Sequence, residues 1–176
     1  MKISNHGFTI IEAVVAVAVF AMTVSSILGV YISVQRLNRQ SASLQALQQN
    51  ARFLSEDIAK LVRNGQIDYG RYGTTVPQPS TANLYLLDRD GVPVWIYKSG
   101  NYLVIDKSGF GSANFTGKEV KVLDFRVYVW PSVNPFPGGS EQPSVTIFLD
   151  LQANVSAQDV TRFPFQITAA TRQYPE

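Results

Sequence analysis

Cysteine is missing from this chain and histidine nearly so, with His6 alone. No disulfide, thiolate nucleophile or thiolate metal ligand can form, so the fold must rest on packing in any redox compartment. A single histidine also removes His-based triads and the usual zinc sites. The formal net charge is only +2, too little to create a global field that gathers nucleic acid or anionic lipid. Residues 8–34 lack proline, Asp, Lys and Arg, and Glu12 is their one acidic side chain. The 176 residues leave room for one membrane helix and one modest domain, without a second large core.

What fills residues 8–34 is mostly alanine, valine, isoleucine and leucine. A stretch this long and apolar reads as a helix able to span a bilayer, for which roughly 20 residues at about 1.5 Å each suffice. Glu12 is the anomaly. A carboxylate deep in hydrocarbon costs on the order of 2.5–3.5 kcal/mol, less near the interface, so it needs a partner or a role. Ala16-Val17-Ala18 imitates a signal-peptide cleavage site, yet uncharged residues continue far beyond it. A plain signal anchor explains the apolar run and leaves Glu12 without a reason. Flanking charge does not set orientation, with Lys2 on one side and Arg36 and Arg39 on the other.

A short leader ending in Gly7, then Phe8, Thr9, Ile10, Ile11 and Glu12 before a long apolar helix, resembles the N-terminus of type IV pilins and type II secretion pseudopilins. The resemblance is tight over residues 1–34, looser to residue 64 and architectural beyond. It implies a leader at residues 1–7, cleavage between Gly7 and Phe8 by prepilin peptidase, and N-methylation of Phe8. The family's glutamate, fifth after the cut, corresponds to Glu12, whose implied role is assembly: its carboxylate pairs with the Phe8 ammonium of a neighbouring subunit. Such pairing lowers the cost of both charges in an apolar bundle and sets register. His6 would leave with the leader, so the mature chain would hold neither histidine nor cysteine. The resemblance also puts the leader in the cytoplasm and the C-terminal domain outside.

Beyond the apolar half, Leu37, Leu44, Leu47, Ala51, Leu54, Ile58 and Leu61 recur at helical spacing. One helix is therefore expected over residues 8–64, roughly 85 Å at about 1.5 Å per residue. Residues 8–34 would be its membrane and assembly half, and residues 35–64 its amphipathic half, with that stripe docked on a domain. Lys60 and Arg63 suit the negative end of the helix dipole, and Asn64-Gly65 reads as the stop. Thr23, Ser25, Ser26 and Gly29 suit close approach of helices, or are ordinary composition for a membrane helix. Where the chain has Gly29, major pilins often carry a proline.

Residues 65–176 read as a globular β-sheet domain. Glycine, proline, Thr and Ser mark residues 65–82 as a connecting loop. Strands are expected over residues 83–88, 92–98, 102–106, 119–130, 145–155 and 163–171. Arg89-Asp90-Gly91 and Ser99-Gly100-Asn101 supply hairpin turns. Alternation slips at Leu123-Asp124-Phe125, which predicts a bulge. Pro93 and Pro164 suit edge strands. The fold class is α+β, pilin-like, with the long N-terminal helix packed on one antiparallel sheet.

For chemistry, Asp88 and Asp90 are the tempting carboxylate pair. They sit at a tight turn and lack the other ligands of a calcium loop, so turn chemistry is the better reading. No catalytic residue, metal or cofactor is expected, and hence no enzyme. The proline-rich loop at residues 131–143 is either a contact or binding tip or a variable surface loop. Lys98, Lys107, Lys118, Lys121, Arg126, Arg162 and Arg172 interleave with Trp95, Tyr97, Tyr102 and Tyr128, a pattern that also occurs on single-strand DNA surfaces. Strand alternation puts many of these rings in the core instead, which weighs against nucleic acid.

The leading expectation is a structural subunit, a minor pilin or pseudopilin, of a type IV pilus or type II secretion pseudopilus. The large sheet domain and the lack of a cysteine-closed C-terminal loop look more like a minor or J/W-type subunit than a major pilin. Its partners would be prepilin peptidase, other pilin or pseudopilin subunits, the inner-membrane assembly platform and the membrane itself. It would be a single-pass inner-membrane protein before assembly. The alternatives are a filament-tip adhesin or DNA-binding module, and a plain membrane-anchored ectodomain.

Overall fold

The computed structural model describes residues 9–73, 75–77, 83–136, 138–139, 141–153 and 160–172. Helix α1 is Ile10–Asn64. A two-residue strand β1 (Gln66–Ile67) and a single-turn helix α2 (Tyr69–Tyr72) follow. Then come β2 (Asn83–Leu87), β3 (Pro93–Ser99), β4 (Tyr102–Lys107), β5 (Gly111–Asn114), β6 (Val120–Trp130), β7 (Ser144–Ala153) and β8 (Arg162–Ala170). The chain falls into two compact units, divided between Ser41 and Ala42.

In the first unit the helix is apolar and exposed: Ile10, Val14, Val17, Phe20, Met22 and Ile27 all lie open. Its hydroxyls fold back on the helix itself. Thr23 donates to the Val19 carbonyl at 2.8 Å, Ser25 to Ala21 at 2.8 Å, Ser26 to Met22 at 2.9 Å and Ser33 to Gly29 at 2.9 Å. Satisfied in this way, the small polar residues leave the surface apolar. The helix runs unbroken through Gly29.

In the second unit α1 docks through Ser43, Leu47, Ala51, Leu54, Ile58 and Val62, all buried. The expected stripe needs correction at both ends. Leu44 is 41% exposed and Leu37 63% exposed, while Ser43 and Val62 take the buried places. Leu44 and Val62 stand eighteen residues apart, five whole turns of an undistorted helix, so they share one angular position; what differs is place along the axis, Val62 lying well inside the sheet unit, Leu44 at its start and Leu37 before it.

The sheet expectation is correct in being antiparallel and incomplete in its count. Among the described residues eight strands form two hydrogen-bonded sheets, ordered β1-β2-β3-β4-β5 and β6-β7-β8. They meet where the Val122 N–H donates to the Asn101 carbonyl at 2.8 Å, while the Phe115 N–H, donating to the Leu103 carbonyl at 2.7 Å, extends the β4–β5 pairing by one residue. Leu84, Leu86, Val94, Ile96 and Leu103 from the first sheet, and Val122, Phe125, Val127, Ile147, Leu149 and Leu151 from the second, share one core with the helix. The unexpected elements, β1, α2 and β5, are short. Gly111-Ser112-Ala113-Asn114 is exposed throughout, so it carries no hydrophobic alternation to read. The bulge stands as expected, with the β6–β7 register shifting between Val122 and Asp124.

Close packing fixes the residue after the helix as glycine. A Cβ on Gly65 would overlap the carbonyl oxygens of Leu87 and Leu61, so only glycine lets the chain pass this close to β2. At the β2–β3 turn, Gly91 has φ +74 and its N–H donates to the Asp88 carbonyl at 3.0 Å. Of the expected strand over residues 145–155, residues 154 and 155 lie outside the described residues.

Candidate functional site

The first turn of α1 holds Glu12 in place. The carboxylate Oε2 accepts from the Thr9 backbone N–H at 3.0 Å and from the Thr9 hydroxyl at 2.8 Å. In return Thr9 Oγ1 accepts the Glu12 N–H at 3.3 Å. The Thr9 carbonyl accepts the Ala13 N–H at 3.2 Å, the bond that opens the helix. This is a reciprocal capping box of the form Thr-x-x-Glu, which satisfies orphan donors at the helix start. The carboxylate also lies at the positive end of the helix dipole. Glu12 thus has a partner three residues away, within its own helix start. That local signal was present in the spacing of Thr9 and Glu12 and was missed. Gly7 and Phe8, the expected cleavage and methylation residues, lie outside the described residues, as does His6.

Among the described residues α1 is the one helix long and apolar enough to cross a membrane, with a mean hydropathy of 2.4 over its most apolar window.

The other candidates are distributed over the second unit. Asp88 serves the turn: Oδ1 accepts from the Asp90 and Val92 N–H groups, each at 2.9 Å, and Oδ2 pairs with Lys107 Nζ at 2.6 Å. The Lys107 ammonium, with the Val92 N–H next, holds its carboxyl below the usual range. Asp90 contributes its backbone N–H to that turn.

The loop at residues 131–143 is tied down at both ends. The Pro131 carbonyl accepts from the Tyr69 hydroxyl at 3.0 Å, and Ser132 from the Val76 N–H at 2.7 Å. Pro143 accepts from the Thr171 N–H at 2.9 Å. Pro137 and Ser140 lie outside the described residues. Burial pushes the Tyr69 phenol up to about 12.

The expectation that the interleaved rings enter the core is overturned. Strands β2 and β3 turn Leu84, Leu86, Val94 and Ile96 inward, and Tyr85, Trp95 and Tyr97 lie half-buried on the opposite face. There the rings pack on one another. Tyr72 meets Tyr85 edge-on at 5.0 Å, Tyr85 meets Trp95 at 5.7 Å and Trp95 meets Tyr97 at 4.4 Å, with Arg71 over Tyr85 at 5.5 Å. Trp95 Nε1 donates to Asn83 Oδ1 at 3.0 Å. Aliphatic residues win the inner positions because the β-branched and leucine side chains interlock with the helix stripe, while rings with polar tips keep those tips satisfied at the surface. Of the basic residues interleaved with the rings, Lys107 and Arg126 are engaged in ion pairs.

Comparison of the chain with protein-family models, curated proteins and solved structures finds no match.

Proposed function

We propose that this chain is a pilin-like structural subunit, a minor pilin or pseudopilin, anchored in the inner membrane and assembled into a type IV pilus or type II secretion pseudopilus. The observation that carries the reading is the exposed apolar helix surface from Ile10 to Val34 with one carboxylate, Glu12, in its first turn. An exposed surface of this kind requires lipid or a bundle of like helices around it. In the same chain the domain core is built by a different part of the helix, from Leu47 to Val62. The apolar half is then free to pass from lipid to a bundle while the domain keeps its packing.

In this reading prepilin peptidase cuts between Gly7 and Phe8, and the new Phe8 amine is methylated. Glu12, already ordered by Thr9, offers its carboxylate to the Phe8 ammonium of the next subunit. The sheet domain stays outside the cytoplasm.

Co-expression of the full chain with and without a prepilin peptidase, followed by determination of the N-terminal residue and its mass, tests this. An N-methylated Phe8 that depends on the peptidase is expected. An N-terminus at Met1 in its presence, or a cut near Ala18, overturns the proposal.

A further inference from the structure

Strand β8 is an outer edge of the β6-β7-β8 sheet. Its pairing with β7 continues one step past each end, where the Ala153 N–H donates to the Thr161 carbonyl at 3.1 Å and the Thr171 N–H to the Pro143 carbonyl at 2.9 Å. Bonded and non-bonded pairs alternate along an antiparallel ladder, so the odd-numbered residues of β8 direct their backbone groups at β7. The even-numbered residues turn theirs outward: the N–H groups of Arg162, Gln166, Thr168 and Ala170, and the carbonyls of those residues and Pro164. Pro164, which has no N–H to offer a ladder, falls on this outward set. Among the described residues no backbone group bonds to it. The other sheet edges are blunted: β1 has two residues and β5 four, and β6 gives the Val122 N–H to Asn101 beside its bulge. Strand β8 is nine residues long, pairs without a register shift and carries no charge from Phe163 to Thr171. An edge of this kind is a template for another strand. On its inner side Phe163 and Phe165 pack against the core only in part, with ring centroids 6.1 Å apart.

We propose that β8 is a docking edge for an extended segment of another protein, which adds beside it as the next strand of the sheet. The segment's backbone takes the outward N–H and carbonyl groups of β8, a recognition mode in which main-chain bonds hold the peptide and alternate side chains select it. On the inner side its side chains continue the row of Phe163 and Phe165, so apolar residues are required there. On the outer side they flank Pro164, Gln166 and Thr168, all exposed, and uncharged polar residues fit. Pro164 offers a carbonyl and no donor, so the N–H groups of Gln166, Thr168 and Ala170 fix the register. Arg162 and Arg172, both exposed, stand at the two ends of the uncharged run and favour an acidic residue at each end of the segment. A second copy of β8 fits less well, because antiparallel pairing of this strand with itself brings Arg162 of each copy toward Arg172 of the other, and like charges opposed across strands are destabilising. The inference rests on the sheet unit alone and does not depend on the filament reading.

The test uses the full chain in detergent micelles and a capped peptide of alternating valine and threonine with a glutamate at each end, read by amide hydrogen exchange. With the peptide at about ten times its Kd, exchange at Gln166, Thr168 and Ala170 should slow about tenfold, and at Ile167 and Ala169, already bonded to β7, much less. The same peptide N-methylated at every amide should give no slowing, and one with lysine in place of glutamate should bind more weakly. Thr168→Pro removes an outward donor without removing a ladder bond to β7, so it should abolish the slowing at Gln166 and Ala170 while the chain still melts cooperatively. Equal slowing with the N-methylated or the lysine peptide, or slowing confined to other amides, overturns the proposal. So does slow exchange at Gln166, Thr168 and Ala170 before any peptide is added, which would mean that the edge is covered from within the chain. Protection that rises with protein concentration alone also overturns it, by making the occupant a second copy. Should Thr168→Pro not fold, the comparison of peptides on the unmodified protein decides by itself.

Discussion

Thr9 and Glu12 cap the long helix by exchanging hydrogen bonds, the carboxylate taking both donors of Thr9 and the hydroxyl oxygen taking the Glu12 N–H. An acidic residue at the edge of an apolar span therefore does structural work within its own chain, whatever it does between chains. The two roles separate by mutation. Thr9→Ala should loosen the first turn by about 1 kcal/mol, read as faster amide hydrogen exchange at residues 10–13 in micelles, with Glu12 still present for a neighbour. Glu12→Ala should loosen the same turn, leave the proposed cleavage after Gly7 largely intact and, in the proposed filament, impair incorporation. Normal incorporation of Glu12→Ala would leave the capping box as the residue's whole function.

The docking stripe can be tested by contrast. Leu54 is fully buried and Leu44 is 41% exposed, one on each side of the stripe's edge. Leu54→Ala should lower the stability of the sheet unit by about 2–5 kcal/mol, the range for a buried leucine that leaves a cavity. Leu44→Ala should change it by less than about 0.5 kcal/mol. Chemical denaturation of the full chain in micelles, followed by tryptophan fluorescence, reads both. Equal losses would mean the helix docks on another face.

Stability should also fall at both ends of the pH range, for different residues. Asp88 is held below its ordinary 3.8 by Lys107 first and the Val92 N–H second. Its contribution is present above pH 3.8 and is lost as pH falls through the lower folded-state value. Tyr69 is raised from 10.0 to about 12 by burial, so its contribution is complete below pH 10.0 and disappears between there and about 12. Asp88→Asn should flatten the acid limb and Tyr69→Phe the alkaline limb of a melting-temperature profile. Tyr69→Phe also frees the Pro131 carbonyl, and hydrogen exchange at Ser132 and Val133 should quicken.

Much of this architecture could be read directly. The helix, its end at Asn64, the β2–β3 and β3–β4 turns and the bulge beside Leu123 each follow from local chemistry: an apolar period, an Asp-Gly pair, a Gly at positive φ, a slip in alternation. Those signals act between residues close in the chain, so order alone carries them. The existence of an apolar helix with one acid near its start belongs to the same class, and so does the Thr9–Glu12 box, which was legible and overlooked.

Other features depended on contacts between distant segments. Alternation assigns residues to two faces without saying which face is inner, so only packing against Leu47, Leu54 and Ile58 decided that Leu84 and Ile96 go in and Tyr85, Trp95 and Tyr97 stay out. Short elements such as β1 and β5 exist because a neighbouring strand supplies their hydrogen bonds, a partner no local pattern names. The need for glycine at residue 65 comes from the carbonyl of Leu87, across the fold. The meeting of Asp124 with Asp150 comes from a register that a one-residue bulge sets. Composition and order determined the helix and strands β2, β3, β4, β6, β7 and β8; the short strands, which faces the elements share, and which charges they bring together were decided by long-range packing, because burial is a property of the assembled surface and not of any single segment.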